Sequence, residues 1–108
     1  MTFTEIRKTQ KREIERLLLM YKQLKHNAYK SLYHCYKNFS QEKHEAFNDC
    51  LEIEFYVRDV MKEEIVKGGI IGYNIFQFSY GIITDKAFYY ITKCDNKRID
   101  LQLLGVEG

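Results

Sequence analysis

The 108-residue chain contains no proline and no tryptophan, and only three cysteines. Without proline, no residue locks the backbone against continuing a helix. The apolar runs, such as Leu17 to Tyr21 and Ile70 to Tyr73 across Gly72, fall well short of the roughly 18–20 residues that span a bilayer. The opening Met1-Thr2-Phe3-Thr4-Glu5 has no basic segment followed by an apolar stretch, so no secretory signal is expected. Cys35, Cys50 and Cys94 are odd in number and lack CxxC spacing. This argues against a disulfide framework and fits reduced thiols in a cytoplasmic protein. The formal net charge is only +2, the balance of neither an acidic DNA mimic nor a histone-like polycation.

What the chain has in abundance is Phe, Ile, Lys, Asn and Tyr, which make 44 of the 108 residues, against 14 for Gly, Ala, Arg and Pro. The first group is encoded largely by AT-rich codons, so a low-GC bacterium or its phages and plasmids is the expected source. The length suits one domain, residues 1–108. Charge is unevenly divided: residues 1–40 carry +6, residues 41–67 carry −4, and residues 68–108 are neutral.

The first forty residues read as one long helix. Thr2 and Glu5 have capping-box spacing. Ile14, Leu17, Tyr21, Leu24, Ala28, Leu32, Cys35 and Phe39 recur at steps of three and four and form one stripe. His26-Asn27 is the expected place for a bend. So long a helix exceeds a small domain and invites a partner helix, its own copy included. Ser40 is a good N-cap for a second helix, with Ala46, Cys50, Ile53, Val57, Val60 and Met61 on one face. Residues 51–58 also alternate as a strand would, but the Glu- and Lys-rich flanks and Met61-Lys62-Glu63-Glu64 favour helix, ended by Gly68-Gly69. From Ile70 onward β-branched and aromatic residues dominate. Strands are expected over Tyr73 to Thr84, Ala87 to Cys94 and Ile99 to Leu103, with turns at Asp85-Lys86 and Asp95-Asn96-Lys97. The expected fold is therefore α+β: two N-terminal helices, the first one long, covering one face of a C-terminal three-stranded antiparallel meander.

Catalytic and metal chemistry have weak support. His26, His34, Cys35, His44 and Cys50 are zinc-type ligands but lack paired ligand spacing. The three cysteines read instead as small buried hydrophobes. Gly68-Gly69-Ile70-Ile71-Gly72 lacks both the Walker lysine and the dinucleotide fingerprint. Nothing gathers a nucleophile, a base and an orienting acid, although Cys35 and His44 would be the residues to test. No cofactor and no enzymatic activity are expected.

The pattern that stands out lies on the first helix. Tyr29, Tyr33 and Tyr36 share a sector with Arg7, Lys8, Lys11, Arg12, Lys22, Lys25, Lys30 and Lys37. Lysines neutralise phosphate, and tyrosines give stacking and contact area. The same tyrosines also suit shoulder positions packed against the second helix. The acidic residues of the second helix, Glu42 to Glu64, are suited to pairing with the basic helix within one chain or across a dimer. The expected function is a small binding protein, of the kind phages and mobile elements use against host defence, that occludes a larger host protein or ribonucleoprotein. Direct nucleic-acid binding by the basic helix is the alternative.

Overall fold

In a computed structural model, the chain is described over residues 2–26, 41–73, 78–92 and 95–106. The elements run β1 (Thr4–Glu5), α1 (Lys11–His26), α2 (Gln41–Asp59), β2 (Ile65–Tyr73), β3 (Phe78–Thr84), β4 (Ala87–Thr92), β5 (Asn96–Asp100) and α3 (Leu101–Leu104). The strands form a five-stranded mixed sheet in the order β1-β5-β4-β3-β2. This corrects the expected three-stranded meander with two N-terminal helices. The β2-β3-β4-β5 portion is antiparallel throughout, and β1 joins it parallel to β5.

The two long helices, α1 and α2, do not share a face. Along β4, Phe88 and Tyr90 join a core with Leu17, Tyr21 and Leu24 of α1 and with Leu101 and Leu104 of α3. Ala87, Tyr89 and Ile91 join a second core with Cys50, Ile53 and Val57 of α2. Successive strand side chains point to opposite sides, so α1 and α2 flank the sheet from opposite faces. β3 divides the same way, with Ile83 towards α1 and Tyr80 and Ile82 towards α2. A sheet covered on both faces reads as a continuous apolar run rather than an alternation. Ala87 to Ile91, all buried, is such a run, and its missing alternation is the mark of two covered sides that a sheet with one covered face does not explain. The helical reading of residues 51–58 agrees with the structure.

The first helix begins later than its capping-box signal implies. Thr4 and Glu5 pair with Lys97 and Arg98, and the Ile6 amide donates to the Arg98 carbonyl at 2.9 Å. Burial explains the choice. Ile6 enters the α1-side core while Phe3 packs on Tyr89 and Tyr56 at ring-centroid distances of 5.0 and 5.6 Å. An extended segment lets the two reach opposite faces. Gln10 opens the helix instead: its carbonyl accepts from Ile14 N at 3.0 Å, and its Oε1 accepts from Arg7 N at 2.7 Å. Of the expected stripe, Leu17, Tyr21 and Leu24 are buried and Ile14 packs beside them. Ala28, Leu32, Cys35 and Phe39 lie outside the described residues, and the bend expected at His26-Asn27 falls at their limit.

Further boundaries move for similar reasons. α2 stops at Asp59, where Lys62 takes a left-handed φ of 58° and the Glu63 amide bonds back to the Val57 carbonyl. Met61 to Glu64 therefore leave the helix rather than continue it, and Val60 is exposed instead of buried. Gly68 and Gly69 terminate nothing, since they sit inside β2 opposite Ile82 and Gly81. The turn at Asp85-Lys86 is present, fastened by Thr84 Oγ1 accepting from the Lys86 and Ala87 amides. Asn96 and Lys97 are strand residues, so the β4–β5 turn lies earlier, where Thr92 and Asp95 bond each other. The last strand ends at Asp100. Leu101 and Leu104, three apart, turn into α3 and bury against α1, with Gly105 closing the turn at φ 73°.

Gly81 lies beneath α1 with no room for a side chain. A Cβ there would lie 2.6 Å from Ile71 Cδ1, 2.9 Å from Leu24 Cδ2 and 3.1 Å from Phe88 Cε1. Gly81→Ala is expected to lower unfolding free energy by about 1–3 kcal/mol through overpacking, read from urea denaturation. A neutral result would show that α1 can lift off the sheet at no cost.

Candidate interaction surface

Because Leu17, Tyr21 and Leu24 fix the inward side of α1, the opposite side faces solvent. Lys11, Arg12, Glu15, Arg16, Leu19, Lys22, Gln23 and His26 are all exposed there. At 100° per residue these eight fall within one sector, and Leu19 stands near its middle with 59% of its surface exposed. Arg7 and Lys8 are exposed in the turn that leads into α1. Among the described residues, Arg7, Lys8, Lys11, Arg12 and Lys22 form no salt bridge, while Arg16 pairs with Glu13 at 3.6 Å.

The structure thus brings Lys11, Arg12 and Lys22 to one side of α1, with Arg7 and Lys8 exposed just before it. Lys25 belongs to the shoulder, with Nζ 3.3 Å from the Tyr21 hydroxyl and 5.5 Å from its ring centroid. Tyr29, Lys30, Tyr33, Tyr36 and Lys37 lie outside the described residues. Leu19 and Arg16 were missed by the sequence reading. The usable signal for Leu19 was its place within Leu17-Leu18-Leu19-Met20 at an angle far from the core stripe.

The outward side of α2 has a similar plan with opposite charge. Asn48, Glu52, Phe55 and Asp59 are exposed opposite the buried Cys50, Ile53 and Val57. Phe55 is 61% exposed, with Glu52 three residues before it and Asp59 four after. Within one chain this acidic face cannot meet the basic face of α1, because the sheet lies between them. Among the described residues, that removes the pairing of Glu52 and Asp59 with the α1 face within one chain.

No protein-family model, curated protein or solved structure matches the chain. Among the described residues, no helix is long and apolar enough to cross a membrane.

The densest polar constellation is buried and internally satisfied. Glu63 Oε1 accepts from Thr84 Oγ1 at 2.7 Å, and Oε2 accepts from the Tyr89 hydroxyl at 2.7 Å and Arg98 Nη2 at 2.9 Å. Arg98 Nε donates to Tyr89 at 3.0 Å, and Nη1 reaches Asp100 at 2.8 Å and Glu5 at 3.4 Å. Burial pushes the Tyr89 hydroxyl up, as does its bond to Glu63, with Arg98 partly opposing. Burial alone would lower Arg98, but Tyr89 and Glu63 outweigh it and hold the guanidinium charged. The arrangement ties the α2–β2 connection to β3, β4, β5 and β1. Glu63 was read only as part of an acidic helix, since nothing in sequence links it to Arg98.

A second buried pair lies under α2. The Tyr80 hydroxyl donates to Glu54 Oε1 at 2.5 Å, in space left by Gly68, where a Cβ would stand 2.7 Å from that hydroxyl. Burial, then the bond to Glu54, pushes Tyr80 up. Burial, then the nearby Glu54 and Asp49, pushes the Cys50 thiol up to about 12. A thiol kept protonated is a poor nucleophile and metal ligand, so Cys50 serves packing.

Two outcomes follow for stability. Removing one partner of a buried ion pair leaves the other uncompensated. Arg98→Ala should therefore cost about 3–5 kcal/mol in urea denaturation, and a loss below 1 kcal/mol would mean that water replaces the guanidinium at Glu63. For Cys50 the folded state disfavours the thiolate. Its contribution is complete below the unfolded thiol value of 9.0 and declines as pH rises from there towards about 12, by up to about 1.4 kcal/mol per pH unit. Tyr80 adds to the decline above its own unfolded value of 10.0. A Cys50→Ala, Tyr80→Phe variant should lose less stability between pH 8 and pH 11 than the wild type, as judged by its urea midpoint. An equal loss would place the alkaline sensitivity elsewhere.

Proposed function

We propose that the protein is a small cytoplasmic, non-enzymatic binding protein whose basic α1 face covers a site on a larger protein or ribonucleoprotein. The observation that carries this reading is Leu19, more than half exposed at the centre of a cationic sector. A surface built only to neutralise phosphates gains nothing from a leucine. A protein contact buries an apolar centre inside a charged rim. The small size and AT-rich codon usage support an inhibitor or regulator carried by a phage or plasmid of a low-GC bacterium, acting against a host defence. Direct contact with nucleic acid is the second reading, supported by Arg7, Lys8, Lys11, Arg12 and Lys22, which are exposed and form no salt bridge among the described residues.

Both are tested with one variant, Arg12→Glu with Lys22→Glu, which alters only exposed side chains and should leave the melting temperature unchanged. In pull-downs from a low-GC bacterial lysate, the wild type should retain one dominant protein or ribonucleoprotein that the variant loses. Capture that the charge reversal does not affect would remove α1 from the contact. In fluorescence anisotropy with 30-nucleotide DNA and RNA, the second reading requires affinity to fall with salt by close to one log–log unit per phosphate neutralised. Absence of binding at low salt would eliminate it.

A further inference from the structure

The faces of α1 and α2 match each other while being held apart. Each carries one large apolar residue at its solvent-facing centre, Leu19 on α1 and Phe55 on α2. Arg12 and Lys22 lie one or two turns from Leu19, and Glu52 and Asp59 lie within about a turn of Phe55. The sheet separates the faces, so complementarity within one chain has no contact to act on. Between chains it has one.

We infer that the α1 face of one copy docks on the α2 face of a second copy, setting Leu19 against Phe55 between oppositely charged flanks. With the helices antiparallel about the Leu19–Phe55 centre, Arg16 comes beside Asp59 on one side of the seam and the minority charges, Glu15 and Arg58, face each other on the other side. Such a contact joins two different surfaces. It leaves a free α1 on one copy and a free α2 on the other, so assembly continues beyond two copies as a ring or an open array. This does not depend on the proposed function, which uses α1 alone. Self-association and the binding of a larger partner would compete for the same α1 face.

The experiment is light scattering coupled to size exclusion, with sedimentation velocity, from micromolar to millimolar protein. The expected result is a mass that rises from 13.0 kDa past the dimer as concentration increases, and falls back as salt is raised from 50 to 500 mM. Arg12→Glu with Lys22→Glu makes both faces acidic, and Glu52→Lys with Asp59→Lys makes both more basic. Each variant alone should remain at monomer mass, and mixing them in equal amounts should restore large species. A monomer at millimolar protein, a closed dimer, or assembly unchanged in either variant would overturn the inference. The Glu52→Lys, Asp59→Lys variant leaves α1 intact. It should therefore still retain the larger partner, which separates failure of this inference from failure of the functional reading.

Discussion

The structure depends on burying β3 and β4 from both sides. Tyr80, Ile82, Phe88, Tyr89 and Ile91 are all nearly inaccessible to solvent, yet adjacent members of this set serve different cores. One layer of strands therefore needs two helical covers, and the chain supplies them in sequence, α1 for one side and α2 for the other. Burial of this kind, at about 25 cal/mol per Å² of apolar surface, is the main force opposing the chain entropy of a small domain. It also fixes which side of each helix remains outside.

Once two faces are buried, the polar atoms among them must be satisfied in place. The hydroxyls of Thr84, Tyr80 and Tyr89 each meet a carboxylate. No buried side-chain nitrogen or oxygen among the described residues is left without a partner. The two carboxylates come from different places: Glu54 from within α2, and Glu63 from the segment that follows it after the left-handed Lys62. A single left-handed residue thus decides whether Glu63 points into solvent with the rest of the acidic row or into the sheet. Lys97 performs a related service on the other side, where its ammonium donates to Glu13 and ties β5 to α1.

Helices were easier to read than strands, and the reason is physical. The periodicity of Leu17, Tyr21 and Leu24, and of Cys50, Ile53 and Val57, comes from one-sided burial and is visible in sequence. Strands covered on both sides lose their alternation. β1, two residues long, is too short to show a period at all. Its partner lies more than ninety residues away in the chain. Gly68-Gly69 has the composition of a stop signal, but serves to let Tyr80 reach Glu54 beneath β2. Leu101 to Leu104 fits both an alternating strand and a helical turn, and burial against α1 decides for the turn. The basic side of α1 was legible as charge. The exposed leucine at its centre is legible only through its angle to the core stripe, because by composition four consecutive apolar residues look alike.

The pairing of β1 with β5 has a kinetic side. Thr4 and Glu5 need Lys97 and Arg98, which at 5–20 residues per second are made roughly 5–20 s after them. Until then Phe3 and Ile6, which end in two separate cores, have no sheet edge to anchor between. Contacts so distant along the chain are slow to close. A segment made before the rest of the sheet is therefore among the last to be seated, and its arrival adds a parallel edge to β5.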